Sequence, residues 1–311
     1  MANPPCPVTG EPATRLVQWV SARLLARMWR IALRVDARPS FHGTKRFGLW
    51  ESPTGLYFFD PMLAGDATFY ESLYGRLGPR AYPSETKPRA EFGLAAREVG
   101  TGERVLDVGC GFGAFRHAVR HARYTGLDPH FSGEPGSDWA RIETLADHLT
   151  GHAGAYDVCT AFQVLEHVEN PSMMLAQMAR AVRPGGTVIV GVPHVPAAHT
   201  RIPNYLVNAV PHHLTWWTRD ALLALAQRTG LVEARVETAP WAAVDGLVYW
   251  MARCSPVTCR DRHFRHSWAW HASALIGLAG GFALWRLKPV PDANDEGASL
   301  LLVARTPGPR A

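Results

Sequence analysis

The chain has 311 residues, of which 47% are hydrophobic and 19% are charged, and its formal net charge is +5. This composition predicts a globular protein with a full core, built as one large domain with attachments or as two small domains. The modest excess of basic residues does not require an acidic partner, so we expect no binding to nucleic acid.

The cysteine content indicates a reducing compartment. The chain contains five cysteines, and no two of them form a C-x-x-C pair. An odd number of thiols without a disulfide framework is typical of intracellular proteins. The first ten residues, MANPPCPVTG, lack the charged and apolar regions of a secretory signal. We therefore expect a cytoplasmic protein with free thiols.

Residues 1–90 are expected to form an N-terminal extension with ribbon-like and helical parts. The apolar segment from Thr14 to Val35 predicts one helix, in which spacings of three and four place most arginines on one side. These arginines are Arg15, Arg23, Arg27, Arg30 and Arg34. We interpret that side as a solvated basic face, with contact to nucleic acid or lipid as the alternative. Residues 51–61 predict a tight turn between two short strands.

The chain is organised around residues 103–115, ERVLDVGCGFGAF. A short apolar strand ends at Val108, and an amphipathic helix is expected from Ala114. Three glycines form the turn between them: Gly109, Gly111 and Gly113. Glycines let the backbone approach a ligand, and a helix N-terminus presents free N–H groups. Residues 109–114 also fit the dinucleotide fingerprint G-x-G-x-x-[GA], so the glycines alone do not decide the cofactor.

Predicted strands and helices alternate in the rest of the chain. The strands are expected at 105–108, 123–127, near 142, and at 156–162, 187–192, 231–237 and 299–304. Helices are expected at 89–99, 171–182 and 219–229, a turn at 183–186 and a long loop at 193–217. Strands separated by helices predict an α/β fold with a parallel, doubly wound sheet.

An acidic residue ends the second of these strands. Asp128 follows Asp107 by 21 residues and precedes Pro129. A carboxylate at this place can accept hydrogen bonds from both ribose hydroxyls of a nucleotide, whereas the alternative is a turn aspartate before proline. With the glycine turn upstream, we interpret Asp128 as a ribose ligand.

Two histidine-containing segments are candidates for the acceptor side of the site. Residues 163–168, QVLEHV, follow the 156–162 strand at the sheet edge where open α/β folds bind ligands. His167 could act as a general base, orient a ligand or begin a helix. Residues 211–217, PHHLTWW, suggest a substrate wall and add His213 as a second candidate. No carboxylate or cysteine in that loop completes a metal set, so we expect no metal.

One stretch raises the question of membrane contact. Residues 267–285, SWAWHASALIGLAGGFALW, are about as long as a bilayer span. We expect a buried or lid helix within an apolar insert at about 240–290, with peripheral membrane contact as the alternative.

Together, these motifs resemble the class I S-adenosylmethionine-dependent methyltransferases. VLDVGCGFG looks like their motif I, and Asp128 matches their acidic ribose residue. YDVCTAFQVLEHVENP and RPGGTVIVGVP resemble the fourth-strand and fifth-strand signatures, and PHHLTWWT resembles a motif of the ubiquinone-biosynthesis-type branch. The resemblance covers residues 100–235 and implies a Rossmann-like, mostly parallel sheet with an antiparallel last strand in a domain spanning 91–311.

The resemblance implies S-adenosylmethionine as cofactor and in-line displacement at its sulfonium methyl. The acceptor would be a small molecule, lipid-like or sugar-linked, and His167 and His213 would be the candidate catalytic residues. Cofactor contacts are implied for Asp107, Gly109, Cys110, Gly111, Gly113, Asp128, Pro129, Thr144, Leu145, Gln163 and Val164. Asp107 would orient the turn, and the Thr144–Leu145 region would face the adenine.

A weaker resemblance concerns a zinc ribbon that precedes the methyltransferase domain in some members of this branch. CPVTG at 6–10 and ESPTGLYFFDP at 51–61 match its two halves, but three of its four ligands are replaced, by Thr9, Glu51 and Thr54. One remaining thiolate, Cys6, cannot hold structural zinc, so we expect no zinc.

Other functions stay open from the sequence. An NAD-dependent oxidoreductase would use the glycine turn but gives no role to the L-E-H and T-W-W segments. A non-catalytic S-adenosylmethionine-binding module would keep the same motifs. Nucleic-acid modification has support only from the arginine-rich segment. The acceptor atom (O, N or C) and the oligomeric state are undecided.

Overall fold

The computed structural model describes residues 2–77, 83–129, 137–289, 291 and 296–309. The strands within these ranges are β1 (Arg15–Ser21), β2 (Arg46–Glu51), β3 (Tyr57–Asp60), β4 (Arg104–Val108), β5 (Arg123–Leu127), β6 (Ala140–Arg141), β7 (Tyr156–Phe162), β8 (Val182–Pro193), β9 (Thr215–Trp216), β10 (Val232–Ala239) and β11 (Ser299–Arg305). The α-helices are α1 (Ala22–Met28), α2 (Ala67–Leu77), α3 (Ala90–Ala96), α4 (Leu145–His152), α5 (Pro171–Ala181), α6 (Ala198–Arg201), α7 (Arg219–Arg228), α8 (Gly246–Cys254) and α9 (Trp268–Leu287).

The main sheet has seven strands in the order β10-β11-β8-β7-β4-β5-β6. The five strands from β8 to β6 run parallel, whereas β11 is antiparallel to both β8 and β10. The prediction of a mostly parallel sheet with an antiparallel last strand is therefore confirmed.

Both faces of this sheet are buried. In β11, Leu300 and Leu302 belong to one apolar cluster, which also contains residues of α4, α5 and α7. Leu301 and Val303 belong to a second cluster, which contains residues of α3. Successive side chains of a strand point to opposite faces, so helices cover the sheet on both sides, as the doubly wound prediction requires.

The insert between β10 and β11 leaves the sheet at the edge where the parallel strands end. Ala239, the last residue of β10, pairs with Ser299, the first residue of β11, and Ser299 pairs with Pro193 at the end of β8. The insert with α8 and α9 therefore starts and ends at the edge where open α/β sheets bind ligands.

A second, antiparallel sheet has the order β1-β2-β3-β9. The tight turn predicted at 51–61 lies between β2 and β3. Its fourth strand, β9, comes from the histidine-containing loop, since Tyr57 pairs with Trp216 and Phe58 with Thr215. The N-terminal residues are thus joined to that loop, and the division of the chain at residue 90 stays a prediction.

The prediction of one helix from Thr14 to Val35 is wrong. The first part is β1, and only Ala22–Met28 is α-helical, followed by a π-helical turn at Trp29–Leu33. β1 pairs along its length with β2, and Gln18 accepts the backbone N–H groups of His263 and Phe264. These partners lie far along the chain, so the local periodicity could not reveal them. Ser21 then caps the helix by accepting from Leu24 N.

Two further local predictions need correction. The helix expected from Ala114 is only a 3-10 turn, Ala114–His117, because few residues separate the glycine turn from the start of β5. The turn at 183–186 lies inside β8, where the register to β7 shifts between Tyr156 and Val158. It is an irregularity within β8 and not, as predicted, a turn that precedes the strand.

The two turns assigned to a ribbon are held by hydrogen bonds. Cys6 Sγ accepts the N–H groups of Val8 (3.4 Å) and Thr9 (3.5 Å). Ser52 Oγ accepts those of Thr54 (3.3 Å) and Leu56 (3.1 Å). The relation of this region to a zinc ribbon stays a prediction.

Candidate active site

The glycine turn and Asp128 are directly connected. Gly109 and Cys110 both donate their N–H groups to the carbonyl of Leu127, at 2.7 and 3.1 Å. Gly111 N–H donates to Asp128 Oδ2 at 3.0 Å. The adjacent strands β4 and β5 therefore end in one hydrogen-bonded unit that contains the predicted ribose ligand.

Each of the three turn glycines has a positive φ, between 51° and 70°. A Cβ at Gly109 would lie 2.4 Å from Val164 Cγ2, and one at Gly113 would lie 2.5 Å from the ring of Trp139. Among the described residues, apart from its neighbours in the chain, no atom lies within 4 Å of the position that a Cβ at Gly111 would take. The turn is thus closed on two sides and open above Gly111, where a ligand can approach the backbone.

Asp107 lies below the turn and ties three strands together. Its side chain is buried and accepts from Tyr124 Oη (2.6 Å) on β5 and from Thr160 Oγ1 (2.8 Å) on β7. Burial raises the pKa of Asp107 to about 6, although both hydrogen bonds act in the opposite direction. These contacts fit the predicted role of orienting the turn.

Two predicted cofactor residues point their side chains into the protein. Cys110 is buried, with its Sγ against Gly126, and burial raises the pKa of its thiol. Gln163 has a φ of 57° and donates from Nε2 to Glu91 Oε1 at 3.1 Å. Either residue can reach a cofactor only through its backbone. Val164, by contrast, packs on Gly109 and so belongs to the wall of the turn.

The remaining predicted cofactor residues lie at the β6 side of the sheet. Thr144 caps α4 by accepting from Asp147 N, and its hydroxyl donates to Asp147 Oδ2 at 2.6 Å. Leu145 is buried in the same apolar cluster as Leu127. Pro129 is exposed. Thr144 and Leu145 follow β6, which is the neighbour of β5, so they lie at the same edge of the sheet as the glycine turn.

The structure brings the two candidate catalytic histidines together, with a third. The ring centroids of His167 and His213 are 4.8 Å apart, and His212 lies 4.4 Å from His167 and 4.5 Å from His213. His167 Nδ1 lies 2.7 Å from the carbonyl of His212. A carbonyl only accepts, so Nδ1 carries the proton and the lone pair of the neutral ring is on Nε2.

All three histidines are neutral at pH 7. Burial lowers the pKa of His167 to about 4 and lowers those of His212 and His213 well below the usual range. Beside them, Glu166 is buried, and neither oxygen of its carboxyl group has a hydrogen-bond partner among the described residues. Burial raises the pKa of this carboxyl group to about 8. Its Oε1 lies 3.8 Å from His167 Nε2. A neutral imidazole in this place can accept a proton from an acceptor group.

The ligating nitrogens of the three histidines lie within 4.8 Å of one another. The sequence did not reveal this grouping, since His167 is distant in the chain. The rings of His212 and His213 are nearly parallel, with an interplanar angle of 16°. The absence of a metal here stays a prediction.

Sequence reasoning missed several residues around the site. Trp139 packs against the glycine turn, and the guanidinium of Arg116 lies 4.7 Å from the centre of its ring. No sequence pattern indicated that Trp139 belongs to the site. Glu91 is buried next to Gln163. It could have been found, because it is a carboxylate on the apolar side of a predicted helix.

The chain matches the family described as a methyltransferase domain over residues 74–234, just over half of its length. It is 38% identical over 99 residues to the ubiquinone biosynthesis O-methyltransferase of Escherichia coli O7:K1, and 39% identical over 99 residues to that of Shigella boydii serotype 18. Each match covers 28% of this chain and 41% of the relative.

Two solved structures are similar at low sequence identity. The S-adenosylmethionine-dependent methyltransferase of Archaeoglobus fulgidus has a TM-score of 0.43 and 13% identity, covering 70% of this chain and 92% of that one. The enzyme of Mesorhizobium loti has a TM-score of 0.42 and 17% identity, covering 70% and 97%.

The sheet order, the glycine turn and the acid after β5 are the features that the resemblance to class I S-adenosylmethionine-dependent methyltransferases implies. The chain belongs to the methyltransferase-domain family. Membership in a methyltransferase family gives no support to the alternative function of an NAD-dependent oxidoreductase.

Proposed function

We propose that this protein transfers a methyl group from S-adenosylmethionine to a small molecule bound between the glycine turn and the three histidines. One observation carries the proposal. Val164 packs on Gly109, and His167, three residues further on, belongs to the neutral histidine cluster. The cofactor turn and a proton acceptor are thus neighbours at one edge of the sheet.

The residues of the turn fit the cofactor. The space above Gly111 admits a ligand, and Asp128 offers a carboxylate beside it for the ribose hydroxyls. When bound there, S-adenosylmethionine supplies an electrophilic methyl group for in-line displacement. Asp107 keeps β4, β5 and β7 in register below the turn.

The histidines would act on the acceptor. His167 holds its Nδ1 proton on a backbone carbonyl, which orients the ring and leaves Nε2 to receive a proton. The first acceptor to test carries a hydroxyl group, since the named relatives are O-methyltransferases. The acceptors to test also include lipid-like and sugar-linked alcohols, the classes expected from the sequence.

The experiment is calorimetric titration with S-adenosylmethionine and with NADH, followed by methyl transfer from labelled S-adenosylmethionine to a panel of hydroxylated lipids. We expect His167→Gln and His213→Gln to lower kcat by about 10²-fold or more while cofactor binding is unchanged. His42→Gln, at an exposed histidine outside the site, is the control. Binding of NADH alone would contradict the proposal. Cofactor binding without transfer to any acceptor would favour the non-catalytic module.

We also propose a cytoplasmic location. All five cysteines are free, four of them buried and Cys254 partly exposed. Thiols in this state suit a reducing compartment. Fractionation of the native host followed by immunoblotting tests the proposal.

A further inference from the structure

The helix α9 presents an apolar surface to solvent. Its residues from Trp268 to Trp285 include no Asp, Glu, Lys or Arg. Large apolar side chains on it are exposed, among them Trp268 (80%), Leu275 (64%) and Ile276 (51%). A surface helix of a globular protein normally exposes its polar residues, whereas α9 exposes its large apolar residues.

The opposite side of α9 explains why the apolar residues face outward. The buried residues Ser273, Gly277 and Gly281 recur every four positions; the two glycines pack on α8, and Ser273 Oγ accepts from Val257 N at 2.9 Å. A Cβ at Gly281 would lie 2.7 Å from Met251 N, and one at Gly277 would lie 2.9 Å from Met251 O. Small residues are thus used for close backbone contact. At 100° per residue, the exposed residues occupy the other half of the helix.

No helix among the described residues has both the length and the hydropathy to cross a bilayer. At 1.5 Å per residue, the 20 residues of α9 extend about 30 Å along the surface. The exposed half from Trp268 to Trp285 is therefore a long strip without charged side chains.

Cations flank this strip at both ends. Arg286 and Lys288 are exposed at its C-terminal end, and Arg262 and Arg265 precede its N-terminal end. Residues 262–289 contain no aspartate or glutamate. Both ends of the strip therefore carry exposed cations, although the exposed Asp261 directly precedes Arg262.

Arginines of α1 and of the π-helical turn that follows it add to this charge. Arg23, Arg27 and Arg30 are all exposed. Phe264, which precedes α9, lies in the same apolar cluster as Leu25 of α1 and Trp29, so α1 lies near the start of α9. The arginines of this segment therefore add positive charge near the N-terminal end of the strip.

The positions of these charges indicate whether the strip binds a second copy of the chain or a bilayer surface. If two copies paired through α9 in an antiparallel manner, Arg286 and Lys288 of one would face Arg262 and Arg265 of the other. A parallel pair would bring identical cations together. Like charges at both ends oppose self-association, whereas an anionic bilayer surface offers an apolar interior beneath negative headgroups.

We propose that the exposed half of α9, together with the arginines of α1, docks this protein onto an anionic lipid bilayer surface. The helix lies in the plane of the interface, with its apolar side chains below the headgroups and the arginines among them. Since the insert begins and ends at the edge of the sheet that holds the site, docking brings an acceptor dissolved in the bilayer near the site. The docking itself is independent of the proposed function.

Co-sedimentation of the full chain with vesicles tests this proposal. Vesicles of phosphatidylcholine alone are compared with vesicles that also contain phosphatidylglycerol. We expect binding only to the anionic vesicles, weakened by salt. The variant with Leu275→Ser, Ile276→Ser and Phe282→Ser should bind at least about tenfold more weakly. Its circular dichroism and melting temperature show whether it is folded.

Matched variants separate the patch from general surface properties. Ile142→Ser with Met173→Ser removes exposed apolar side chains elsewhere and should leave vesicle binding unchanged. Arg27→Gln and Arg30→Gln should each weaken binding about fivefold, whereas Arg228→Gln, at an exposed arginine of α7, should not.

A second readout does not depend on the serine variant. Brominated lipids should quench the fluorescence of the wild type more than that of Trp268→Phe. Lack of binding to anionic vesicles would overturn the proposal, as would equal binding to neutral ones or unchanged binding of a folded serine variant. A wild-type dimer that the serine variant dissociates would assign the strip to a second copy instead.

Discussion

The side chain of Val164 lies directly against the backbone of Gly109, so that a Cβ at position 109 would stand 2.4 Å from Val164 Cγ2. Through this contact the end of β7 supports the cofactor turn at the end of β4. It also places the L-E-H segment, with His167, beside that turn. The contact therefore joins the two halves of the proposed site.

This contact predicts different outcomes for two neighbouring alanine substitutions. Gly109→Ala combines an unfavourable φ of 69° with the clash against Val164, so we expect a loss of about 2–4 kcal/mol in the free energy of unfolding. Gly111→Ala carries only the backbone strain, about 1 kcal/mol, but its methyl group enters the space above the turn. It should lose cofactor affinity with less loss of stability. Urea unfolding and calorimetry measure both, and equal stability of the two variants would contradict the account.

Asp128 is expected to determine cofactor affinity by its charge. In Asp128→Asn the amide oxygen can still accept from Gly111 N, so the turn keeps its shape, but the charged acceptor for the ribose hydroxyls is lost. We expect Kd for S-adenosylmethionine to rise about tenfold or more. Asp138→Asn, at an exposed aspartate, is the control. An unchanged Kd in Asp128→Asn would remove Asp128 from the cofactor site.

Asp107 is expected to make stability depend on pH. Burial raises its folded pKa to about 6, above the value of about 3.9 in an unfolded chain. The folded state therefore binds the proton more tightly, and the cost of burying the charge is relieved as pH falls through 6. Relative to Asp107→Asn, the wild type should gain up to about 3 kcal/mol between pH 8 and pH 4. Denaturant unfolding of both proteins across this range measures the difference between their free energies of unfolding. If the pKa of Asp107 were the same in the folded and unfolded chains, this difference would not change with pH.

Two helical glycines should respond oppositely to alanine. Gly281 packs on the backbone of Met251, so Gly281→Ala should separate α9 from α8 and cost about 1–3 kcal/mol. Gly75 lies in α2 with no atom near its Cβ position, so Gly75→Ala should stabilise the protein by about 1 kcal/mol. Thermal unfolding compares the two. Stabilisation by Gly281→Ala would show that the helices do not need close contact.

Metal analysis of the purified protein should find no stoichiometric zinc. Cys6 alone keeps a ligand type of the ribbon, and its Sγ accepts backbone N–H groups instead. The same measurement tests the three histidines of the site. If one zinc per chain were found and Cys6→Ser removed it, residues 6–10 and 51–61 would form a zinc ribbon after all. If His213→Gln removed the zinc, the three histidines would be its ligands.

Local sequence signals predicted the elements whose partners are adjacent in the chain or strongly apolar. The strand Tyr156–Phe162 and the helices beginning at Pro171 and Arg219 have the predicted starts, because apolar runs and capping residues act within a few residues. The helix predicted over Thr14 to Val35 failed at its start. There, pairing with β2 and the bonds of Gln18 to residues near 263 outweigh helical periodicity.

The amino-acid sequence by itself determined most strands and helices between residues 103 and 237, the glycine turn and the acid that follows it, because each depends on backbone conformation or on the alternation of side chains over short distances. Only the tertiary structure decided that His167 meets His212 and His213, and that one side of α9 is exposed while the other packs on α8. Both depend on which distant surfaces pack together. Burial then sets the protonation of the histidines, since the cost of desolvating a charge exists only after the chain has folded around them.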